Sequence, residues 1–174
     1  GELNIQIAGG HTEVSGAVNW PVVTATVIGK AAVKREDQHE RHKVCEGHKD
    51  VVVSKWIGIE GTAILVREKE EELLKRFSAG FLGAAREQER YLSVEREAAI
   101  ALKSSVYAMH DVRNGGIFGA LWELSRKLGV GLSIDLKEIP VKQETIEICE
   151  FFNISPYELL SGGALIMAAE DGNG

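Results

Sequence analysis

Met109-His110-Asp111-Val112-Arg113-Asn114-Gly115-Gly116 is the stretch whose reading decides the fold. Ser105-Val106-Tyr107-Ala108, just before it, is a short strand-like run. After it, Ile117, Leu121, Leu124 and Leu128 recur at three- and four-residue spacing, the pattern of a buried helical stripe. The motif is therefore expected at a strand-to-helix turn. Gly115-Gly116 allow a tight turn and a close backbone approach. The N–H groups and positive dipole end of the following helix favour an anion there. His110 contributes a titratable ring, Asp111 a carboxylate and Arg113 a fixed cation. A carboxylate beside an anion site makes chemical sense when Mg²⁺ bridges the two, as it does with phosphates. The competing reading is an ordinary glycine turn with Asp as a helix cap.

Working outward, Asp50-Val51-Val52-Val53-Ser54 reads as a strand, and Arg67 to Phe77 as a helix with a solvated charged face. Gly58 and Gly61 lie near Glu60 and Thr62. A second helix is expected over Ser93 to Ser104 with Ser93 as its cap. Gly129 stops the helix after the central motif. A strand is expected over Val130 to Leu136, then an extended link Ile139-Pro140-Val141, and a helix from Gln143 to Phe152. Ser155-Pro156 starts a short helix, and Ala164 to Ala168 forms a last strand. Ile5 to Ala8 and Val22 to Ile28 also read as strands, with Gly9-Gly10-His11-Thr12 as a glycine turn able to hold a phosphate through backbone N–H groups or to be a plain turn. This alternation predicts an α/β (α+β type) fold, a mixed sheet covered by helices. Trp56, Tyr107, Phe118 and Trp122 are expected in the core or at domain contacts, and Met109 and Met167 in the core.

Composition narrows the function classes. A chain of 174 residues with 44% hydrophobic content can bury one good core. Acidic residues exceed basic ones, 26 to 20, for a formal charge of −6, which argues against nucleic acid and anionic membrane surfaces as partners. Two cysteines, Cys45 and Cys149, make no disulfide framework and suit a reducing cytoplasm. No apolar run approaches membrane-span length. His39, His42, Cys45 and His48 recur every third residue, a set of transition-metal ligands in a polar segment whose spacing matches no standard zinc pattern; a metal site and a solvated connector both remain open. The chain has no initial Met and opens abruptly on Ile5, so a fragment lacking an N-terminal part is expected, with Gly1 as a tag remnant.

Several separated motifs then agree with one family. His110-Asp111-Val112-Arg113-Asn114-Gly115-Gly116, Gly129-Val130-Gly131, Ile139-Pro140-Val141, Phe152-Asn153-Ile154-Ser155-Pro156-Tyr157 and Ser161-Gly162-Gly163-Ala164-Leu165 resemble, in order and spacing, the C-terminal domain of the aminoimidazole ribonucleotide (AIR) synthase-like superfamily. Gly58-Ile59-Glu60-Gly61-Thr62-Ala63 is most similar to its HypE-like, AIR synthase-related branch. The resemblance implies a C-terminal α/β domain over residues 31–174. Residues 1–30 would be the end of a preceding ATP-binding domain plus a connector. It implies ATP and Mg²⁺ as cofactors, and hydrogenase maturation by ATP activation of a carboxamide oxygen. On that basis Asp111 and His110 would be catalytic, with Asp111 holding Mg²⁺. Gly9, Gly10, His11, Thr12, Asn114, Gly115 and Gly116 would contact the nucleotide. The family also implies a homodimer when full-length, a maturation-protein partner and no independent catalysis by this piece. Two departures stand out: Arg113 replaces a threonine found in many relatives, and the tail Glu170-Asp171-Gly172-Asn173-Gly174 carries no cysteine. The alternatives are another superfamily activity (selenophosphate synthetase-, thiamine-phosphate kinase- or purine-synthesis-like) and a non-catalytic interaction module.

Overall fold

The computed structural model describes residues 5–30 and 48–172. The chain divides into two compact units, Gly1–Ala32 and Val33–Gly174. In the first, the described residues form no helix or strand. The strands expected over Ile5 to Ala8 and Val22 to Ile28 are therefore absent there. Val22, Val23, Val27 and Ile28 stand exposed. A β-branched run becomes a strand only when a neighbouring ladder takes its N–H and C=O groups, and this unit holds no such ladder among its described residues.

The second unit is built on a three-stranded sheet. Its strands are β1 (Asp50–Val53), β2 (Val106–Asp111) and β3 (Leu165–Ala169), in the order β1-β3-β2. β3 is central and antiparallel to both neighbours, with Val53 opposite Ile166 and Asp111 opposite Leu165. Among the described residues, a parallel component survives only as the isolated bridge between Ile57 and Val141. The fold is thus α/β as expected, but the strand pairing in the named sheet is antiparallel rather than mixed.

Six helices accompany the sheet in this unit's described residues: α1 (Ile59–Glu68), the short α2 (Glu70–Leu73), α3 (Ala79–Arg86), α4 (Glu95–Ala101), α5 (Gly116–Leu128) and α6 (Gln143–Phe151). α5 packs its apolar stripe, Ile117, Ala120, Leu121 and Leu124, against Ala108, Ile166 and Ala168 of the sheet. A second cluster joins Val66, Leu73, Leu82, Ala85 and Ile148 where α1, α3 and α6 meet. α1 starts eight residues before the expected helix, at Ile59 rather than Arg67, and breaks at Lys69, whose φ of −125° leaves the helical region. The Gly58-to-Val66 stretch is helical because Ile59, Ala63 and Val66 fall on one buried face.

Further expectations fail locally. Val130 to Leu136 is not a strand: Leu132 and Ile134 pack on the core while Gly131, Ser133 and Asp135 face out. The period of two reports one buried face, and among the described residues no neighbouring strand pairs with it. A 3-10 turn at Leu136–Glu138 follows, capped by Asp135. Ser155-Pro156 opens a turn and not a helix. Met109 and Met167, expected in the core, are half-buried, and Trp122 is 65% exposed. No helix among the described residues is long and apolar enough to cross a membrane.

Candidate functional site

β2 runs through Asp111, so His110 and Asp111 belong to the strand end and the turn begins after them. Backbone pairing continues one step further, with the Val112 N–H donating to the Ala164 carbonyl at 3.1 Å. Asp111 is exposed. His110 is held from both sides: its Nδ1 lies 2.6 Å from the Asp111 carbonyl oxygen and its Nε2 2.8 Å from Glu123 Oε2 on α5. The ring therefore ties the strand end to the helix and fixes the backbone that carries the Asp111 carboxylate.

α5 is entered through Gly115 in the left-handed region (φ 76°) with no side-chain cap. Its first N–H groups are nonetheless largely taken. Gly116 donates to the Arg113 carbonyl at 3.0 Å and Phe118 to the Tyr157 carbonyl at 3.4 Å. Gly116 itself sits so close to the Tyr157 carbonyl and the Glu158 backbone that a Cβ would collide with them. Gly116 is thus the seat of the loop 157–164, and Asn114 stays exposed beside it.

The same loop seats the start of α1. Gly58 repeats the Gly115 geometry, with φ 76° and no side-chain cap. Its N–H donates to Ser161 Oγ at 2.7 Å, and Gly61 donates to the Leu160 carbonyl at 2.8 Å. Two helix starts therefore converge on one loop, at the end of the sheet that carries Asp111. Here lies a residue to which sequence reasoning assigned no role. Glu60, in the first turn of α1, directs Oε1 to Arg113 Nη2 at 3.5 Å. Its Oε2 is shielded from solvent without a hydrogen-bond partner. Gly162 leaves room for it: a Cβ there would strike that oxygen. The available signal was an acidic residue at a glycine-entered helix start, Gly58-Ile59-Glu60, which only the fold places opposite Arg113.

A charged clip supports the adjoining turn. Lys55 adopts a left-handed φ of 58°. Its Nζ donates to the Ser93 and Tyr91 carbonyls at 2.7 and 3.1 Å and pairs with Glu97 at 2.8 Å. Burial alone pushes the Glu97 carboxyl upward, but the Lys55 hydrogen bond, with backbone and charge contributions, leaves it below its ordinary value.

Gly9, Gly10, His11 and Thr12 are exposed within the other unit, with open space around both glycines. Of the proposed metal ligands, His39, His42 and Cys45 lie outside the described residues, and His48 is exposed. Among the described residues no group of three His, Cys, Asp or Glu side chains is placed to hold a metal. At the strand end, Asp111 presents a single exposed carboxylate.

Residues 46–173 match the family model described as AIR synthase related protein, C-terminal domain. The chain belongs to this family. Among curated relatives, a putative hydrogenase expression/formation protein of Methanocaldococcus jannaschii is 28% identical over 169 residues, 97% of this chain and 47% of its own length. The chain thus spans about half of that relative. Among solved structures, E. coli HypE, a hydrogenase maturation protein, superposes with a TM-score of 0.57 at 20% identity, covering 76% of this chain and 38% of that one. A HypE solved in complex with ATP gives 0.51 at 18% identity, over 71% and 34%. In this AIR synthase-related C-terminal domain, the antiparallel sheet, α5 and the loop 157–164 frame the Asp111 turn.

Proposed function

We propose that this chain is the C-terminal domain of an ATP-dependent, HypE-like hydrogenase maturation factor, and that Asp111 meets the nucleotide's phosphates through Mg²⁺. The observation that carries the reading is the exposed Asp111 carboxylate. It is held at the end of β2 by a His110 ring braced on Glu123, at the edge where two helix starts converge. ATP would supply the phosphoryl group that activates a carboxamide oxygen. Asp111 orients the metal, and His110 fixes the strand end so that the carboxylate keeps one direction. On this reading Asn114, Gly115 and Gly116 contact the phosphates, and the tight seat of Gly116 against Tyr157 supports the shape of this edge.

The ATP-complexed neighbour and the hydrogenase-related relative support this reading. On it, Gly9, Gly10, His11 and Thr12 lie near the triphosphate, with a preceding domain supplying the remaining ligands. The complete protein pairs as a homodimer, meets a maturation partner and works in the cytoplasm, and this chain alone does not turn over. The experiment is nucleotide binding by the protein encoded by the complete reading frame. Asp111→Asn is expected to weaken Mg²⁺-dependent binding of ATP by tenfold or more, on the order of 1.4 kcal/mol. Its folding stability should stay within about 0.5 kcal/mol, as for an exposed side chain. Equal loss of stability and binding gives Asp111 a structural role alone and removes the proposal.

A further inference from the structure

Glu60 and Arg113 are the charged pair at this edge that the reading above leaves unused. Both come from helix starts seated by one loop, Glu60 on α1 and Arg113 at the entrance to α5. Arg113 is 61% exposed on its side chain, whereas Glu60 is 21% exposed. The separation of 3.5 Å brings one guanidinium nitrogen to Glu60 and leaves the other donors of the planar fork turned elsewhere. On the Glu60 side, Oε2 has no partner and is packed where Gly162 lacks a Cβ. A carboxylate with one shielded, unpaired oxygen is held by its surroundings and not by solvent. It therefore has a set position from which to orient a mobile cation. Nothing in the packing requires an acid at this place. An apolar residue would fill the space beneath Gly162 without leaving an orphaned oxygen.

We infer that Glu60, Gly162 and Arg113 form one unit. Arg113 binds phosphate oxygens of the nucleotide, and Glu60 is the positioning residue that holds its guanidinium beside Asp111. The inference rests on the nucleotide reading above and adds two residues to it. Charge sense supports it: Asp111 with Mg²⁺ and Arg113 with its bare donors both take phosphate oxygens, from two sides of one turn. Because Glu60 offsets the Arg113 charge in the absence of ligand, the site does not carry an isolated cation. Arg113 keeps that nitrogen on Glu60 and offers the remaining donors of its fork to the phosphate.

The test is a double-mutant cycle on the protein from the complete reading frame, read by calorimetric binding of a non-hydrolysable ATP analogue with Mg²⁺. Arg113→Gln should weaken binding about tenfold, the loss of one charge-assisted contact. Arg113→Lys, which keeps the charge without the fork, should recover part of it. Glu60→Gln should weaken binding about threefold to fivefold, and the double variant should bind no worse than Arg113→Gln alone. Wild-type affinity should also fall more steeply with added NaCl than that of Arg113→Gln, which has lost a screened charge contact. The unliganded variants should melt with the wild type. Unchanged affinity in Arg113→Gln, or fully additive losses in the double variant, overturns this inference while leaving the nucleotide reading intact. A wild-type protein that binds no nucleotide removes both, and the wild-type titration alone distinguishes that case.

Discussion

Gly116 lies directly beneath the carbonyl of Tyr157, in a left-handed conformation with φ 59° and with no space for a Cβ. The glycine is there because two backbones meet: the start of α5 and the loop that also seats α1. Gly116→Ala combines backbone strain with a clash against main-chain atoms that cannot rotate away, and should cost on the order of 3 kcal/mol. Gly131→Ala is the control, since open space surrounds that glycine and no left-handed φ applies. It should stay within about 0.5 kcal/mol. Urea midpoints of the two variants decide the matter, and comparable losses would contradict the steric account.

Gly162→Ala should act through Glu60. The added methyl must displace the Glu60 carboxylate, a flexible side-chain end, so folding is expected to lose only about 1 kcal/mol. Nucleotide affinity should fall as it does for Glu60→Gln. Retained affinity together with a large fall in melting temperature would assign Gly162 to packing alone.

The brace between His110 and Glu123 joins β2 to α5 across half-exposed side chains, so its contribution to stability is small. Glu123→Ala should cost less than about 1 kcal/mol. The His110 ring, released from its outer acceptor, should become mobile. Ring-nitrogen NMR signals of His110 that stay unchanged in the variant would show that Glu123 does not hold the ring.

Cys149 is buried on α6, and burial pushes its thiol up to about 11 from 9.0. The folded state therefore keeps its proton where the unfolded chain has lost it. Stability from this group is complete below pH 9 and declines as pH rises from about 9 toward 11, by on the order of 2 kcal/mol. Comparing denaturant midpoints of wild type and Cys149→Ala over that range isolates the effect, and parallel pH profiles would refute it. A thiol reagent at neutral pH should modify Cys149 only at the rate of unfolding.

Much of the second unit can be read from residue patterns. The stripe Ile117, Leu121, Leu124 and Leu128 marks α5, Gly129 its end, and the β-branched run at Asp50 marks β1, because local periodicity and glycine conformation suffice for each. The failures share a cause. Val22 to Ile28 and Val130 to Leu136 have the residues of strands, but a strand also requires a neighbour to complete its ladder, and none stands beside them in the described structure. The helix at Gly58 was hidden by its glycines, which favour a turn locally yet here seat α1 against Leu159 and Ser161.

The candidate site divides in the same way. Asp111, Arg113 and the glycine turn are contiguous, so a reader of the sequence meets them together. Glu60 and Gly162 stand about fifty residues to either side of them, and no local pattern links them.

By itself the order of residues determined the family, the helix after the central motif and a carboxylate at a strand end. Those features depend on neighbours within a few positions along the chain. Tertiary structure alone decided that the glycine turn supports a loop instead of opening to solvent, and that Glu60 faces Arg113. Both outcomes arise from which distant backbones come into van der Waals contact when the sheet and its helices close on one another.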